Sequence, residues 1–128
     1  MSRKTITTEK APATIGTYSQ AIKIDNIVYL SGQIPLSPET MSLISENFRE
    51  QITQVFSNLA NVAEAAGGSL NDAVKLTIYL TNLENFSVVN DVMSAFFQEP
   101  FPARAVIGVS ELPKDALVEI DAILHLTS

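Results

Sequence analysis

The chain has 128 residues, 46% of them hydrophobic and 17% charged, with a formal charge of −6 at neutral pH; that is enough for one domain, residues 1–128, to bury a core without disulfide or metal. Its eight basic residues are scattered from Arg3 to Lys114, so no basic stripe exists to follow a phosphate backbone, and nucleic acid is not expected as a partner. The absence of cysteine excludes thiol nucleophiles and thiolate metal sites, and the single histidine, His125, cannot alone build an ordinary zinc site or a Ser-His-Asp triad.

The N-terminal stretch MSRKTITTEK lacks the apolar centre of a signal peptide, and no apolar run approaches the roughly 20 residues that span a bilayer. The sequence therefore reads as soluble and cytoplasmic, with no membrane partner. A mean hydropathy of +0.19 is high for a chain of this size and points to a surface covered by other copies.

In chain order, residues 3–8 form a short polar strand or arm, and residues 10–18, with Pro12 and Gly16, form a loop. Residues 21–24 and 27–31 then alternate as strands around Asp25-Asn26, two residues that tolerate the positive φ of a tight turn. The second strand runs into Ser31-Gly32-Gln33-Ile34-Pro35, where glycine and proline end it. Residues 46–66 place Phe48, Ile52, Val55, Phe56, Leu59, Val62, Ala63 and Ala66 at helical spacing, and Gly67-Gly68 stop the helix.

A further strand at 74–80 turns Val74, Leu76, Ile78 and Leu80 to one face. Asn82 is the expected N-cap of a second helix with an apolar stripe of Phe86, Val89, Met93, Phe96 and Phe97, ended by Pro100 and Pro102. Residues 101–124 read as a C-terminal hairpin with core faces of Ala105, Ile107 and Val109 on its first strand and Val118, Ile120, Ala122, Leu124 and Leu126 on its second. The expected fold is α+β: a mixed sheet in two layers, with both helices on one sheet face and the other face open to water or a second subunit.

Two charges in the expected hairpin break its pattern. One register closes around residues 111–114 and sets Arg104 opposite Asp121, with Glu119 on the diagonal, whereas the neighbouring register sets Arg104 opposite Glu119. Either way the two charges share the non-core face, roughly 5 to 8 Å apart. An arginine there pairs with these carboxylates or holds a small anion in its planar fork, and Glu119 is either a solvated strand residue or a group that polarises water. Tyr18, presented by the Gly16 turn, is a ligand contact or an interface filler. Ser31 has no histidine to act as its base, which argues against covalent catalysis and leaves its hydroxyl, or the Gly32 amide, to bind an oxyanion.

The motifs GTYSQA (16–21), SGQIP (31–35), FSVVN (86–90), FPAR (101–104) and ELPKDALVEIDAI (111–123), with Gln51 and Asn58 in the first helix, resemble the reactive-intermediate deaminase family, RidA, also called YjgF, over nearly the whole chain. The resemblance implies a chorismate-mutase-like fold, a homotrimer and cofactor-free active sites in the clefts between subunits. It also implies that Arg104 binds the carboxylate of a 2-imino acid and that Glu119 serves the attacking water. Tyr18, Ser31, Gly32 and Asn90 line the cleft in this reading.

The implied reaction is hydrolysis of 2-iminopropanoate or 2-iminobutanoate, formed by dehydratases of serine and threonine, to a 2-oxo acid and ammonia. The alternative is a non-catalytic trimer that binds a small carboxylate or a partner protein. Three positions depart from many members: Thr17 replaces a proline, Val106, counted among the substrate contacts, replaces a cysteine, and the segment 98–100 is short.

Overall fold

The structure is a computed structural model and describes residues 2–127. Its strands are β1 (Lys4–Ile6), β2 (Ala21–Ile24), β3 (Ile27–Gln33), β4 (Ala73–Leu80), β5 (Ala103–Gly108) and β6 (Val118–His125), and its helices are α1 (Phe48–Ala65) and α2 (Phe86–Phe96). The six strands form one sheet in the order β1-β2-β3-β6-β4-β5. Every adjacent pair is antiparallel except β4 and β5, which are parallel. No helix among the described residues is long and apolar enough to cross a membrane.

Local chemistry sets the ends of α1. The Asn47 side chain accepts a hydrogen bond from the Glu50 amide at 3.0 Å, an N-cap that contributes about 1 kcal/mol. At the other end Gly67 takes φ +95°, and the Gly67 and Gly68 amides donate back to the Glu64 and Ala63 carbonyls, each at 3.0 Å. This closing turn needs a residue that tolerates the left-handed region. The expected cap of the second helix is displaced by one turn. Asn82 accepts from the Glu84 amide and caps a 3₁₀ turn, Leu83–Asn85, that leads into α2.

The core lies between the helices and one face of the sheet. Ile52, Val55, Phe56 and Leu59 of α1 pack with Leu76, Ile78 and Leu80 of β4 and Val118, Ile120, Ala122 and Leu124 of β6, all essentially solvent-free. Phe56 also meets Phe96 and Phe97 at the end of α2, with ring centroids 5.3 and 5.5 Å apart.

Three expectations are corrected. The C-terminal hairpin does not form: β5 and β6 lie on opposite sides of β4, Leu76 pairing with Arg104 on one side and Ala122 on the other. The physical reason is the crossover. A parallel neighbour needs a connection of a dozen or more residues, which α2 supplies between β4 and β5. The later connection from β5 to β6 then passes the end of β4, where the Thr81 and Val109 amides donate to Leu117 and Leu80 carbonyls.

Second, the faces of β5 are reversed. Val106 packs against the core while Ile107 is 42% exposed, so Ala105 and Ile107 share the helix-free face and Arg104 the helix face. Third, the ladder shifts between Ala73 and Lys75, which turns Val74 outward and leaves Ala73 in the core. A bulge adds one residue, and alternation cannot place it.

Candidate functional site

The candidate residues fall into two hollows. The first, about 520 Å³, is walled by the segment around Pro12, Ile15 and Tyr18, by the end of β3, and by Pro113, Lys114 and Glu119. Its floor owes its shape to a bulge. Leu30 pairs with Ala122 and Gln33 with Ile120, so Ser31 and Gly32 together oppose the single residue Asp121. Such an insertion bends the strand and re-aims its side chains. It brings the Gly32 backbone under the Glu119 carboxyl so closely that a β-carbon at position 32 would collide with that carboxylate and stand 3.0 Å from its Cδ. A larger residue there displaces the Glu119 carboxylate from its place over the bulge, which glycine leaves open.

Within this hollow Ser31 Oγ donates to the Ser19 carbonyl at 2.6 Å. Its proton is spent on the protein, which argues against Ser31 as an oxyanion donor and leaves its lone pairs to accept. Gly16 takes φ +123° and turns the chain so that Tyr18 is half-exposed and its hydroxyl oxygen accepts from the Ile15 amide at 3.2 Å. The phenolic proton remains for another acceptor.

Glu119 stands between the buried Val118 and Ile120 and points to the helix-free face. Burial, and secondarily the charge of Asp121, push its carboxyl above the ordinary value of 4.5; removal from water and a like charge both disfavour the carboxylate. Asp121 in turn accepts from the Tyr79 hydroxyl at 3.4 Å, and burial followed by Asp121 raises the phenol of Tyr79.

The second hollow, about 330 Å³, is lined by Asn90, Met93 and Ser94 of α2 with Phe101, Pro102 and Arg104. Arg104 is half-buried. Its guanidinium carbon lies 5.3 Å from the centre of the Phe86 ring, and Nη1 donates to Met93 Sδ at 3.2 Å. An aromatic face attracts the cation and the thioether is a weak acceptor, so the planar fork is oriented while most of its hydrogen-bonding capacity stays unused.

Arg104 and Glu119 therefore do not share a face of the chain, contrary to expectation, because the true partner of each is on β4: Leu76 for Arg104 and Tyr79 for Glu119. Among the described residues the one salt bridge is Arg49 with Asp91, so of the two alternatives left open for Arg104, the intrachain pairing with Glu119 or Asp121 is absent. Tyr18, Ser31, Gly32 and Glu119 are brought together; Asn90 and Arg104 meet in the other hollow. Val106 lines neither and packs toward the core.

Sequence reasoning missed two parts of this arrangement. Phe86 reads as core by its spacing, yet it is 44% exposed and carries Arg104. Lys114 reads as a turn residue, yet it lines the Glu119 hollow with its backbone at φ +57°.

The protein is a mixed six-stranded α+β sheet with two helices on one face, Arg104 beside α2 and Glu119 over a glycine bulge, and neither charge has a salt-bridge partner among the described residues. The chain belongs to the family described as Endoribonuclease L-PSP, the YjgF/RidA family, whose model matches residues 8–126. It is 47% identical over 125 residues to a RutC family protein of Pyrococcus abyssi, covering 98% of both chains. It is 46% identical over 122 residues to a 2-iminobutanoate/2-iminopropanoate deaminase of Dermatophagoides farinae, covering 95% of each. The crystal structure of RidA from an Antarctic Psychrobacter superposes with a TM-score of 0.93 at 54% identity, covering 96% of this chain and 99% of that one.

Proposed function

We propose that the protein is an enamine/imine deaminase that hydrolyses 2-iminopropanoate and 2-iminobutanoate to the 2-oxo acid and ammonia, in a cleft completed by a second copy of the chain. The observation that carries the reading is the pair of unsatisfied charges. Arg104 has no carboxylate partner and Glu119 no cationic one among the described residues, and they lie on opposite faces of one sheet. A ligand small enough to be held by both must take the arginine from one copy and the glutamate from its neighbour. Deaminase relatives at about this identity, such as that of Dermatophagoides farinae, support the chemistry.

In this reading the Arg104 fork binds the substrate carboxylate through two parallel hydrogen bonds. Glu119 accepts a proton from water as the water oxygen adds to C2 of the imine. That proton passes to the imine nitrogen to give the carbinolamine; as the C2–N bond breaks, the C2 hydroxyl becomes the carbonyl and its own proton passes to nitrogen, which leaves as ammonia, and the 2-oxo acid remains. A carboxyl raised above its usual value suits the return of the proton. Water already attacks such imines, so the work is mainly orientation and charge placement.

Three copies are proposed to enclose the helix-free face, which leaves Tyr29 and Ile107 exposed in one chain. Sedimentation then gives about 42 kDa, three times the chain mass of 13.9 kDa. A cytoplasmic location belongs to the same proposal, and the cysteine-free sequence is compatible with it. RNA cleavage, which the family description names, finds less support in a chain of charge −6 with scattered basic residues.

The direct test is release of ammonia and 2-oxo acid from imine generated in situ by a threonine or serine dehydratase. Acceleration over the dehydratase alone is expected. A trimer that binds 2-oxobutanoate yet leaves that rate unchanged is instead a carboxylate-binding regulator.

A further inference from the structure

Four amide side chains are buried among the described residues: Gln20, Gln33, Gln51 and Asn58. Burying an amide costs free energy unless its bonds are made, and an apolar residue of similar volume avoids that cost. Three of the four spend their bonds on backbone around the Glu119 hollow. Asn58 donates to the Leu36 carbonyl and Gln51 accepts from the Leu117 amide. Gln20 holds the least regular wall.

Between β1 and β2 the chain forms neither helix nor strand, yet it supplies Pro12, Ile15 and Tyr18 to the hollow. Gln20 is 4% exposed beneath it. Its Oε1 accepts from the Thr8 amide at 2.7 Å, and its Nε2 donates to the Pro12 and Thr8 carbonyls at 2.8 and 3.1 Å. Its own carbonyl accepts from the Ser31 amide at 3.0 Å. One residue thus ties the irregular segment to the β3 bulge, two positions after Tyr18.

We propose that Gln20 is a positioning residue for substrate binding: its buried amide fixes segment 8–18 so that the Tyr18 hydroxyl, already engaged as an acceptor by Ile15, presents its proton to the ligand. The inference rests on the deaminase reading for its kinetic arm and stands apart from it in its structural arm.

The test uses the intact protein with Gln20→Met, which keeps the volume and loses the bonds, and with Gln20→Asn, which keeps the amide and loses its reach. Backbone hydrogen exchange over 8–18 is expected to quicken about tenfold or more in both, with β3, β6 and α1 unchanged, as for local opening. In the kinetic arm each variant raises KM for the imine about tenfold with a smaller change in kcat, and in a Tyr18→Phe background the same substitution raises it less than about twofold, because contacting steps on one path are not additive. Unchanged exchange overturns the proposal, as do fully additive losses, which mark a structural role alone. If Gln20→Met fails to fold, the Asn variant decides by the same two readouts. If no variant and no wild-type protein deaminates, the deaminase reading fails, and exchange together with 2-oxobutanoate affinity by calorimetry still decides the role of Gln20.

Discussion

The two hollows hold opposite charges by opposite means. Glu119 is kept in an irregular pocket of loops and a bulged strand, where burial and a nearby Asp121 make its carboxylate form costly. Arg104 is kept on regular elements, an edge strand and a helix, where an aromatic face and a thioether give its guanidinium a flat apolar seat. The difference suits the two proposed tasks. A group that must take up and return a proton gains from an environment that opposes its charge, whereas a group that must hold a carboxylate gains from permanent charge and fixed orientation.

Glu119→Gln breaks the contrast most severely. Deaminase turnover is expected to fall by 10² or more while affinity for a 2-oxo acid stays within a few-fold, the signature of a lost general base. Equal loss of both, measured by coupled assay and calorimetry, makes Glu119 a structural group.

Arg104→Lys comes next. It keeps the charge and removes the fork, so catalytic efficiency is expected to fall by roughly two orders of magnitude through misplacement of the substrate, with little change in melting temperature. Full activity with lysine, or failure to assemble, shows the arginine to be structural.

Mixing sharpens the contrast further. Arg104→Ala and Glu119→Gln chains, each inactive, are expected to regain about a quarter of wild-type activity when co-assembled at equal amounts, since a random trimer places an intact arginine beside a neighbour's intact glutamate at that frequency. No recovery on verified co-assembly places both groups in one chain's site.

The smallest effect is on pH. Activity is expected to rise with pH through a midpoint above the ordinary 4.5 of a glutamate, because only the ionised form accepts the proton. Asp121→Asn removes the secondary cause and moves that midpoint down, with a rate change within about threefold at neutral pH. The sign for stability is the reverse of a salt-bridged acid. A folded-state value raised above the unfolded one means the native state binds its proton more tightly, so this group's contribution is present below 4.5 and lost as pH rises through the raised value. Asp121→Asn therefore melts slightly higher than wild type at neutral pH, and a lower melting temperature there contradicts the assignment.

The elements with one polar and one apolar face were legible in the sequence alone. The α1 spacing from Phe48 to Ala63, its stop at Gly67, the Asp25-Asn26 turn and the alternation of β6 each follow from local sterics and side-chain period. The oddity of Arg104 and Glu119 was also legible, because a charge in an apolar strand breaks a pattern that neighbouring residues define. What the sequence did not determine was which strands lie side by side. The stretch ARAVIG has small or apolar residues on both faces, so alternation could not choose between them, and a nine-residue link from β5 to β6 suits a hairpin as well as a passage over the end of β4. Tertiary packing decided it: α2 had to cross over to bury Val89 and Met93, which set β5 parallel to β4, gave the central place between β3 and β4 to β6 and put the two charges on opposite faces. The bulge at Ser31-Gly32 has the same origin, for it exists only against Asp121 of a strand almost ninety residues away.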